Sequence, residues 1–255
     1  SFSYNTYRTF LGRNRLSATA QLNISRVVSQ LNISRVVSRL KNLRRVTLSW
    51  DSIDDQSLNL LKRNKLRSIS LIDRDTPLHE FKSLKKLLKS NSNLQYLRVK
   101  EEGFLHQSTY FYQLKGLRSL LGLTLPNISN VDFNRIKTFF ARYFVKLRSL
   151  NILEGKDIHG DENFSWNNRL PKYFEIALSA KTLQKFYLDF YTSKDLDLGE
   201  IPFETFKNRQ IKFDLRLNQK EKVQVSQESL PNFVEVDYLG INERQFYWCN
   251  FSLSI

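Results

Sequence analysis

Eight side chains of this sequence have the chemistry to bind an anionic partner. They are five arginines and three aromatic residues: Arg44, Arg45, Arg67, Arg98, Arg148, Trp50, Tyr96 and Tyr187. The fork of donors on a guanidinium pairs with phosphates or carboxylates, and aromatic faces offer stacking surfaces. Arginine and aromatic residues are also enriched in protein interfaces. The predicted chemistry is therefore recognition of an acidic protein or a nucleic acid, without bond making.

Residue types that carry catalysis are sparse. His79, His106 and His159 fall in three separate segments, and Cys249 is the single cysteine. These residues have no metal-ligand spacing, and the phosphate-binding motif G-x-x-x-x-G-K is absent from the sequence. The one dense polar cluster, DIHGD at 157–161, is interpreted as a hydrophilic insertion rather than a cation or acid/base site. The sequence predicts a protein that is not an enzyme and has no catalytic residues, cofactor or metal.

The binding candidates are positioned by a recurring phrase, L-x-x-Φ-x-Φ, in which Φ is apolar. Copies begin at Leu43, Leu66, Leu94, Leu120, Leu147 and Leu183, and a weaker copy begins at Gln210. A repeat spaced by a few tens of residues is typical of a solenoid. Because strand side chains alternate, each phrase predicts a strand that buries Leu and Φ. The second, third and fifth positions, which include most of the candidate side chains, then face a partner.

Helical periodicity follows several of the phrases. The spacing of Ile136, Phe139, Phe140 and Phe144 predicts a helix over 134–146, and shorter apolar stripes begin at Phe81 and Tyr173. One strand and one helix per repeat, joined by right-handed crossovers, predict an α/β solenoid. In this fold a parallel sheet lines the concave side and helices cover the convex side. The polar segment 154–169 is predicted to be an inserted loop.

Three regions are predicted along the chain. Residues 1–40 form a basic N-terminal arm and capping helix, 41–220 form the solenoid, and 221–255 form an irregular C-terminal cap of strands. Within the first region QLNISRVVS occurs twice in tandem, at 21–29 and 30–38. Residues 31–40 have helical spacing, with an extended conformation as the alternative. Residues 1–20 resemble a mitochondrial targeting segment; the alternative is a basic arm that lies on a partner.

Charge is distributed unevenly. Of the net charge of +15, residues 1–150 carry +18 and residues 151–255 carry −3. This asymmetry favours an anionic partner near the N-terminal end. The single cysteine favours a reducing, intracellular compartment, either the cytoplasm or the mitochondrion. No apolar run is long enough for a transmembrane span.

The phrase and its spacing resemble the leucine-rich repeat family over about residues 40–220. The first copy also matches the longer family pattern, with Asp51 in the usual Asn place and Ile53 in the following apolar place. In later copies Arg74, Glu102 and Ile128 stand where that Asn would be. The resemblance therefore implies a divergent member of the intracellular, helix-backed, long-repeat type. No F-box precedes the repeats.

The repeat architecture and the charge favour a binding function. The first hypothesis is a non-enzymatic scaffold or adaptor that docks protein partners of a larger complex through its basic N-terminal end and concave sheet face. The alternatives are a structural RNA-binding component of a ribonucleoprotein, including a mitochondrial one, and an adaptor that presents substrates to an enzyme. The oligomeric state is left open.

Overall fold

The chain separates into two compact units, Ser1–Leu120 and Leu121–Ile255, called unit 1 and unit 2 below. The structure is a computed structural model. It describes residues 20–24, 42–49, 59, 61–72, 82–99, 112–126, 128, 132–153, 166–192, 198, 201–219, 231, 234–241 and 247–253. The predicted regions 1–40, 41–220 and 221–255 stay predictions; the division between the units falls inside the second of them.

Unit 1 contains parallel strands in sequence order. Its described elements are β1 (Ala20–Ile24), β2 (Leu43–Ser49), β3 (Ser68–Ile72), helix α1 (Lys82–Ser90), β4 (Tyr96–Val99) and a 3₁₀ helix (Tyr112–Gly116). Strand β1 pairs with β2, β2 with β3 and β3 with β4, each in parallel. Parallel strands all begin at the same edge of their sheet, so the turns that lead into them share that edge.

Unit 2 repeats the parallel arrangement and ends with an antiparallel pair. Its described elements are β5 (Gly122–Pro126), α2 (Phe133–Tyr143), β6 (Ser149–Leu153), α3 (Trp166–Ser179), β7 (Lys185–Thr192), α4 (Phe203–Asn208), β8 (Lys212–Gln219), β9 (Val234–Ile241) and β10 (Tyr247–Leu253). Strands β5 to β8 pair in parallel and in order. Strand β10 then joins β8 antiparallel, and β9 joins β10. The predicted α/β class with parallel strands is confirmed.

The phrase aligns copy for copy in the sheet register. In unit 1 Val46 lies opposite Ile69, and Ile69 opposite Leu97. In unit 2 the same fourth position runs through Leu123, Leu150, Phe186 and Phe213. Fourth- and sixth-position side chains of all seven copies are at most 3% exposed. The sequence repeat is therefore also a repeat of backbone pairing and burial.

The second position of the phrase forms the turn before the strand. The carbonyl of Arg67 accepts the backbone N–H groups of Gln95 and Tyr96, each at 2.9 Å. The carbonyl of Arg148 does the same for Gln184 and Lys185 at 2.9 Å. Except in β2, the strands of the phrase begin at the third position. Second-position residues therefore lie at the edge where strands start.

Polar side chains tie successive turns together. In unit 1 the buried Asn91 accepts the N–H of Leu66 at 2.8 Å through Oδ1 and donates to the carbonyl of Leu87 at 2.9 Å through Nδ2. In unit 2 the Thr182 hydroxyl donates to the carbonyl of Leu147 at 2.9 Å. These contacts satisfy backbone groups that the turns would otherwise leave without partners.

The core of unit 2 is aromatic toward its later repeats. Phe174 of α3 meets Phe186, Phe206 and Phe213 edge to face, with ring centroids 5.1–5.4 Å apart. All four rings are essentially fully buried. Phenylalanine replaces the leucine of earlier copies at the fourth position of β7 and β8, and helix α3 fills the wider space with another ring. This packing fixes the strands against the helices.

Three helix predictions are confirmed with changed ends, and one loop prediction is wrong in part. The stripe that begins at Phe81 corresponds to α1 (Lys82–Ser90), and the stripe that begins at Tyr173 corresponds to α3 (Trp166–Ser179). Helix α2 buries Ile136, Phe139 and Phe140 as expected, but it ends at Tyr143 rather than at 146. The predicted loop 154–169 is wrong over its last four residues, because α3 begins at Trp166 and continues through Pro171. The polar, Asn-rich composition favoured a loop, but burial of Leu170 and Phe174 on one face outweighs that propensity.

The remaining predictions about the chain ends differ in outcome. Strands predicted beyond residue 221 are confirmed as β9 and β10. The first copy of the tandem duplication supplies most of β1. The helix predicted within 31–40 and the basic segment 1–19 lie outside the described residues.

Candidate partner-binding face

The outward face of the unit 1 sheet presents two rows of side chains in register. The third-position row runs from Arg45 through Ser68 to Tyr96. The fifth-position row runs from Thr47 through Ser70 to Arg98. Adjacent parallel strands lie about 4.8 Å apart, so side chains of one row are close neighbours. The register brings three of the sequence-predicted residues, Arg45, Tyr96 and Arg98, onto one face.

This face is uneven, as docking surfaces are, because long exposed side chains alternate with short ones. Arg45 and Arg98 are exposed, and Tyr96 is 48% exposed. Between them lie the short side chains of Ser68 and Ser70, so the long side chains stand above their neighbours. Exposed arginine and tyrosine are the residues that most often dominate binding energy in protein interfaces. We call Arg45, Tyr96 and Arg98 the unit 1 face.

Two other predicted arginines of unit 1 lie near the edge of its sheet where the strands begin. The Arg44 guanidinium is half-buried and donates to the carbonyl of Lys65 at 3.0 Å. Arg67 is exposed and lies in the turn one residue before β3. Sequence alternation cannot separate these positions from the face, because it does not give the residue at which the strand starts.

The described part of unit 1 contains cations and no carboxylates. Among its described residues 13 are Lys or Arg and none is Asp or Glu. The acidic residues of this unit, between 51 and 102, all lie outside the described ranges. Over the described residues, the unit 1 face therefore has arginine charges with no acidic side chain beside them.

The other two described candidates, Arg148 and Tyr187, lie in unit 2. Arg148 is exposed in the turn before β6. Tyr187 lies on the fifth-position row opposite Asn151 and Asp214, and its hydroxyl donates to Asp189 at 3.2 Å. Burial raises the pKa of Tyr187 to about 12, and the charge of Asp189 adds to the rise. Its phenol is therefore held in place by Asp189, and the residue is less exposed than Tyr96.

Unit 2 also carries outward-facing charges that the sequence did not single out. Lys185 and Lys212 are neighbours on the third-position row and are exposed. Asp189 lies opposite Arg216 four residues further along the strands. Continuing the alternation of the phrase by two residues would have found this last pair. The outward face of unit 2 is thus of mixed charge.

Several candidates lie outside the described residues: Trp50, the three histidines and the cluster at 157–161. Cys249 belongs to β10. Within the described ranges no group of three or more His, Cys, Asp or Glu residues is placed to hold a metal ion. Over the same residues the structure contains no helix of the length and apolarity needed to span a membrane.

No protein-family model matches the chain, and no curated protein matches it. Its function therefore has to be inferred from its own residues and their arrangement.

Proposed function

We propose that the protein is a non-enzymatic, leucine-rich-repeat-like scaffold that docks onto an acidic protein partner within a larger intracellular assembly. The observation that carries the proposal is the unit 1 face, where Arg45, Tyr96 and Arg98 project from a register-matched sheet. The repeated phrase supports a solenoid because each copy contributes one strand with the same pairing and the same buried positions. A regular sheet face of this kind binds extended surfaces rather than small substrates.

The composition of the face favours protein over nucleic acid as its partner. Both of its cations are arginine, whose fork pairs bidentately with carboxylates. The exposed ring of Tyr96 lies beside Arg98 in the register, and such pairs of anchors are typical of protein hot spots. Interfaces of this type bind through a few central residues rather than through total charge.

The test is capture of partners by the tagged full chain after nuclease treatment, read by mass spectrometry. The double variant Arg45→Glu/Arg98→Glu is compared with Lys86→Glu/Arg142→Glu, which changes net charge equally at exposed positions on α1 and α2. We expect the first pair to lose nuclease-resistant partners and the second to keep them. Equal retention by both pairs refutes docking through this face.

Tyr96→Ala tests the aromatic anchor separately from charge. Truncating a central interface tyrosine typically costs about 1–2 kcal/mol, which is roughly a five- to thirtyfold loss of affinity. The loss is measured by titration against the partner that capture identifies. Tyr96→Phe keeps the ring and should bind within about threefold of wild type if packing, rather than the hydroxyl, is responsible.

The mixed charge of unit 2 favours a second candidate, a substrate-presenting adaptor. Its face combines Lys185 and Lys212 with Asp214 on neighbouring rows. Such a surface suits a partner of mixed charge, distinct from the acidic partner of unit 1. In this case Lys185→Glu/Lys212→Glu removes a different set of captured proteins from the set lost in the unit 1 variant. Loss of the same set by both variants favours the simple scaffold.

A further inference from the structure

Cations recur in the turns that lead into the strands. In unit 1 the exposed ones are Arg63, Lys65, Arg67, Lys89, Lys115 and Arg118, and in unit 2 they are Arg142, Lys146, Arg148, Lys181 and Lys207. We call these residues the strand-start edge, and each unit carries its own part of it. Five described turns contain no Asp or Glu. They are 62–67, 89–95, 115–120, 142–148 and 179–184.

Charge is segregated by position within the repeat. The acidic residues of 1–120 follow strands in the sequence: Asp51 comes two residues after β2, Asp73 one residue after β3 and Glu101 two residues after β4. Cations precede the same strands, and Arg74 and Lys100 also lie among the acidic residues that follow them. What recurs from copy to copy is therefore a turn before the strand that has cations and no carboxylates.

Local structural roles account for only some of these cations. A Lys or Arg in the last helical turn offsets the helix dipole, and Lys89 has this place in α1. That effect fades beyond the last turn, whereas Arg63, Lys65 and Arg118 lie outside the described helices. Within the described ranges the two ion pairs, Arg135–Asp132 and Lys137–Glu175, involve other residues.

The chemistry of the edge differs from that of the unit 1 face. Six of its eleven cations are lysines, and no aromatic ring is among them. Lysine is depleted in protein interfaces, where arginine and tyrosine are enriched. Phosphate contacts depend mainly on positive charge, and lysine binds phosphate as a point charge while arginine pairs with it bidentately. The face therefore suits a protein and the edge suits a polyphosphate.

The spacing of the edge fits a nucleic-acid backbone. Backbone hydrogen bonds join the second positions of successive repeats directly: the Arg67 N–H donates to the carbonyl of Arg44 at 2.7 Å, and the Gln95 N–H to that of Arg67 at 2.9 Å. Successive turns are thus about one strand spacing apart, near 4.8 Å. A nucleic-acid strand carries a phosphate about every 3.4 Å along a duplex axis, and more widely when extended.

We propose that the strand-start edge binds the sugar–phosphate backbone of a nucleic acid, separately from the protein partner of the unit 1 face. Binding through phosphates is not specific for base sequence, so the edge anchors the scaffold to nucleic acid while the face selects the protein. This role does not depend on the proposed docking function, since the two surfaces use different side chains.

The test is fluorescence anisotropy of a labelled single-stranded RNA and a DNA of matched sequence, titrated with the full chain over a range of salt. The triple variant Arg63→Gln/Lys65→Gln/Arg118→Gln is compared with Lys86→Gln/Arg135→Gln/Lys172→Gln, which loses the same charge from exposed helix positions. Each single-strand phosphate contact contributes about 0.7 to the salt slope, so the edge variant should lower its magnitude by about 2. Over the tenfold range from about 1 M to about 0.1 M salt, a slope lower by about 2 means that the edge variant gains on the order of a hundredfold less affinity than the wild type gains.

The outcomes separate this proposal from the alternatives. RNA binding, DNA binding or both support it, provided that the edge variant weakens binding and the helix variant does not. Equal losses in both variants, or no oligonucleotide binding by wild type, overturn it. Displacement of RNA by polyglutamate at equal charge also overturns it, because the edge would then recognise any acidic polymer.

Two controls keep the result interpretable. Arg63→Lys/Arg118→Lys keeps the charge and should bind like wild type, which rules out loss through misfolding. Protein capture after nuclease treatment should be the same for the edge variant and wild type. Protein docking through the unit 1 face can therefore be refuted while nucleic-acid binding by the edge is supported, and the reverse outcome is equally distinguishable.

Discussion

The bridge made by Asn91 can be tested by a single substitution. This side chain is 3% exposed and connects the end of α1 to the turn before β3. Asn91→Leu keeps the branched shape and the number of side-chain heavy atoms, but the N–H of Leu66 loses its acceptor inside the protein. The carbonyl of Leu87 keeps a partner, because the Ser90 hydroxyl also donates to it at 2.8 Å. The main cost is thus one buried backbone donor, the N–H of Leu66, that is left without an acceptor.

The expected loss of stability in Asn91→Leu follows from this one unsatisfied donor. Leaving one buried donor unsatisfied costs about 1–3 kcal/mol. At about 2 kcal/mol the melting temperature should fall by about 4–8 °C for a chain of this size. Asn93→Leu is the matched control, because Asn93 lies in the same turn and is exposed. It should stay within about 1 °C of wild type, since exposed substitutions rarely exceed about 0.5 kcal/mol.

A double-mutant cycle sharpens the test. Ser90→Ala alone should be nearly neutral, because Asn91 still donates to the Leu87 carbonyl. Combined with Asn91→Leu it removes both donors, so the pair should cost about 1 kcal/mol more than the sum of the single changes. Differential scanning calorimetry or urea unfolding measures each variant. Additive effects, or an Asn91→Leu variant as stable as Asn93→Leu, would refute the assigned bridge.

Two further predictions concern unit 2. Arg209 donates to the carbonyls of Leu178 and Ala180 at 2.5 and 2.9 Å; Arg209→Met should cost about 2–3 kcal/mol in urea unfolding because both bonds are charge-assisted, while Lys181→Met, at an exposed position of the turn that Arg209 contacts, should be near neutral. The pKa of Tyr187 is raised to about 12, so the folded state holds this proton more tightly than the unfolded state. The resulting stabilisation is complete below about pH 10, where free tyrosine titrates, and is lost as pH rises toward 12. Tyr187→Phe should flatten that decline in thermal melts, and an unchanged decline would contradict the assignment.

The strands were predictable from sequence because their signal is local and repeated. Alternation within L-x-x-Φ-x-Φ is imposed by strand geometry, and its recurrence fixed which residues would pair. The ties between turns were not predictable, because Asn91 and Thr182 act across repeats on backbone groups 25 and 35 residues away. No periodicity marks a single polar residue that satisfies a distant donor or acceptor.

The candidate site was predicted in part for a related reason. The pattern placed Arg45, Tyr96 and Arg98 on one face, since they occupy third and fifth positions. It also grouped Arg44, Arg67 and Arg148 with them, although each is a second-position residue. Where a strand begins depends on a carbonyl in the preceding turn that accepts two N–H groups, and this is a property of the backbone rather than of residue type. A shift of one residue along the phrase thus decides whether a side chain lies on the face of the sheet or at the edge where the strands begin.

The tandem duplication at 21–29 and 30–38 raises the question of which copy should pair with β2. The two copies are identical, so either offers the same side chains opposite Arg45 to Leu48. Connection length separates them, because parallel strands need a crossover of about a dozen residues or more. From Ile24 to Leu43 the chain has 18 intervening residues, whereas the equivalent Ile33 would leave only nine. The first copy therefore forms the strand, and the residues of the second copy supply the length that a parallel connection requires.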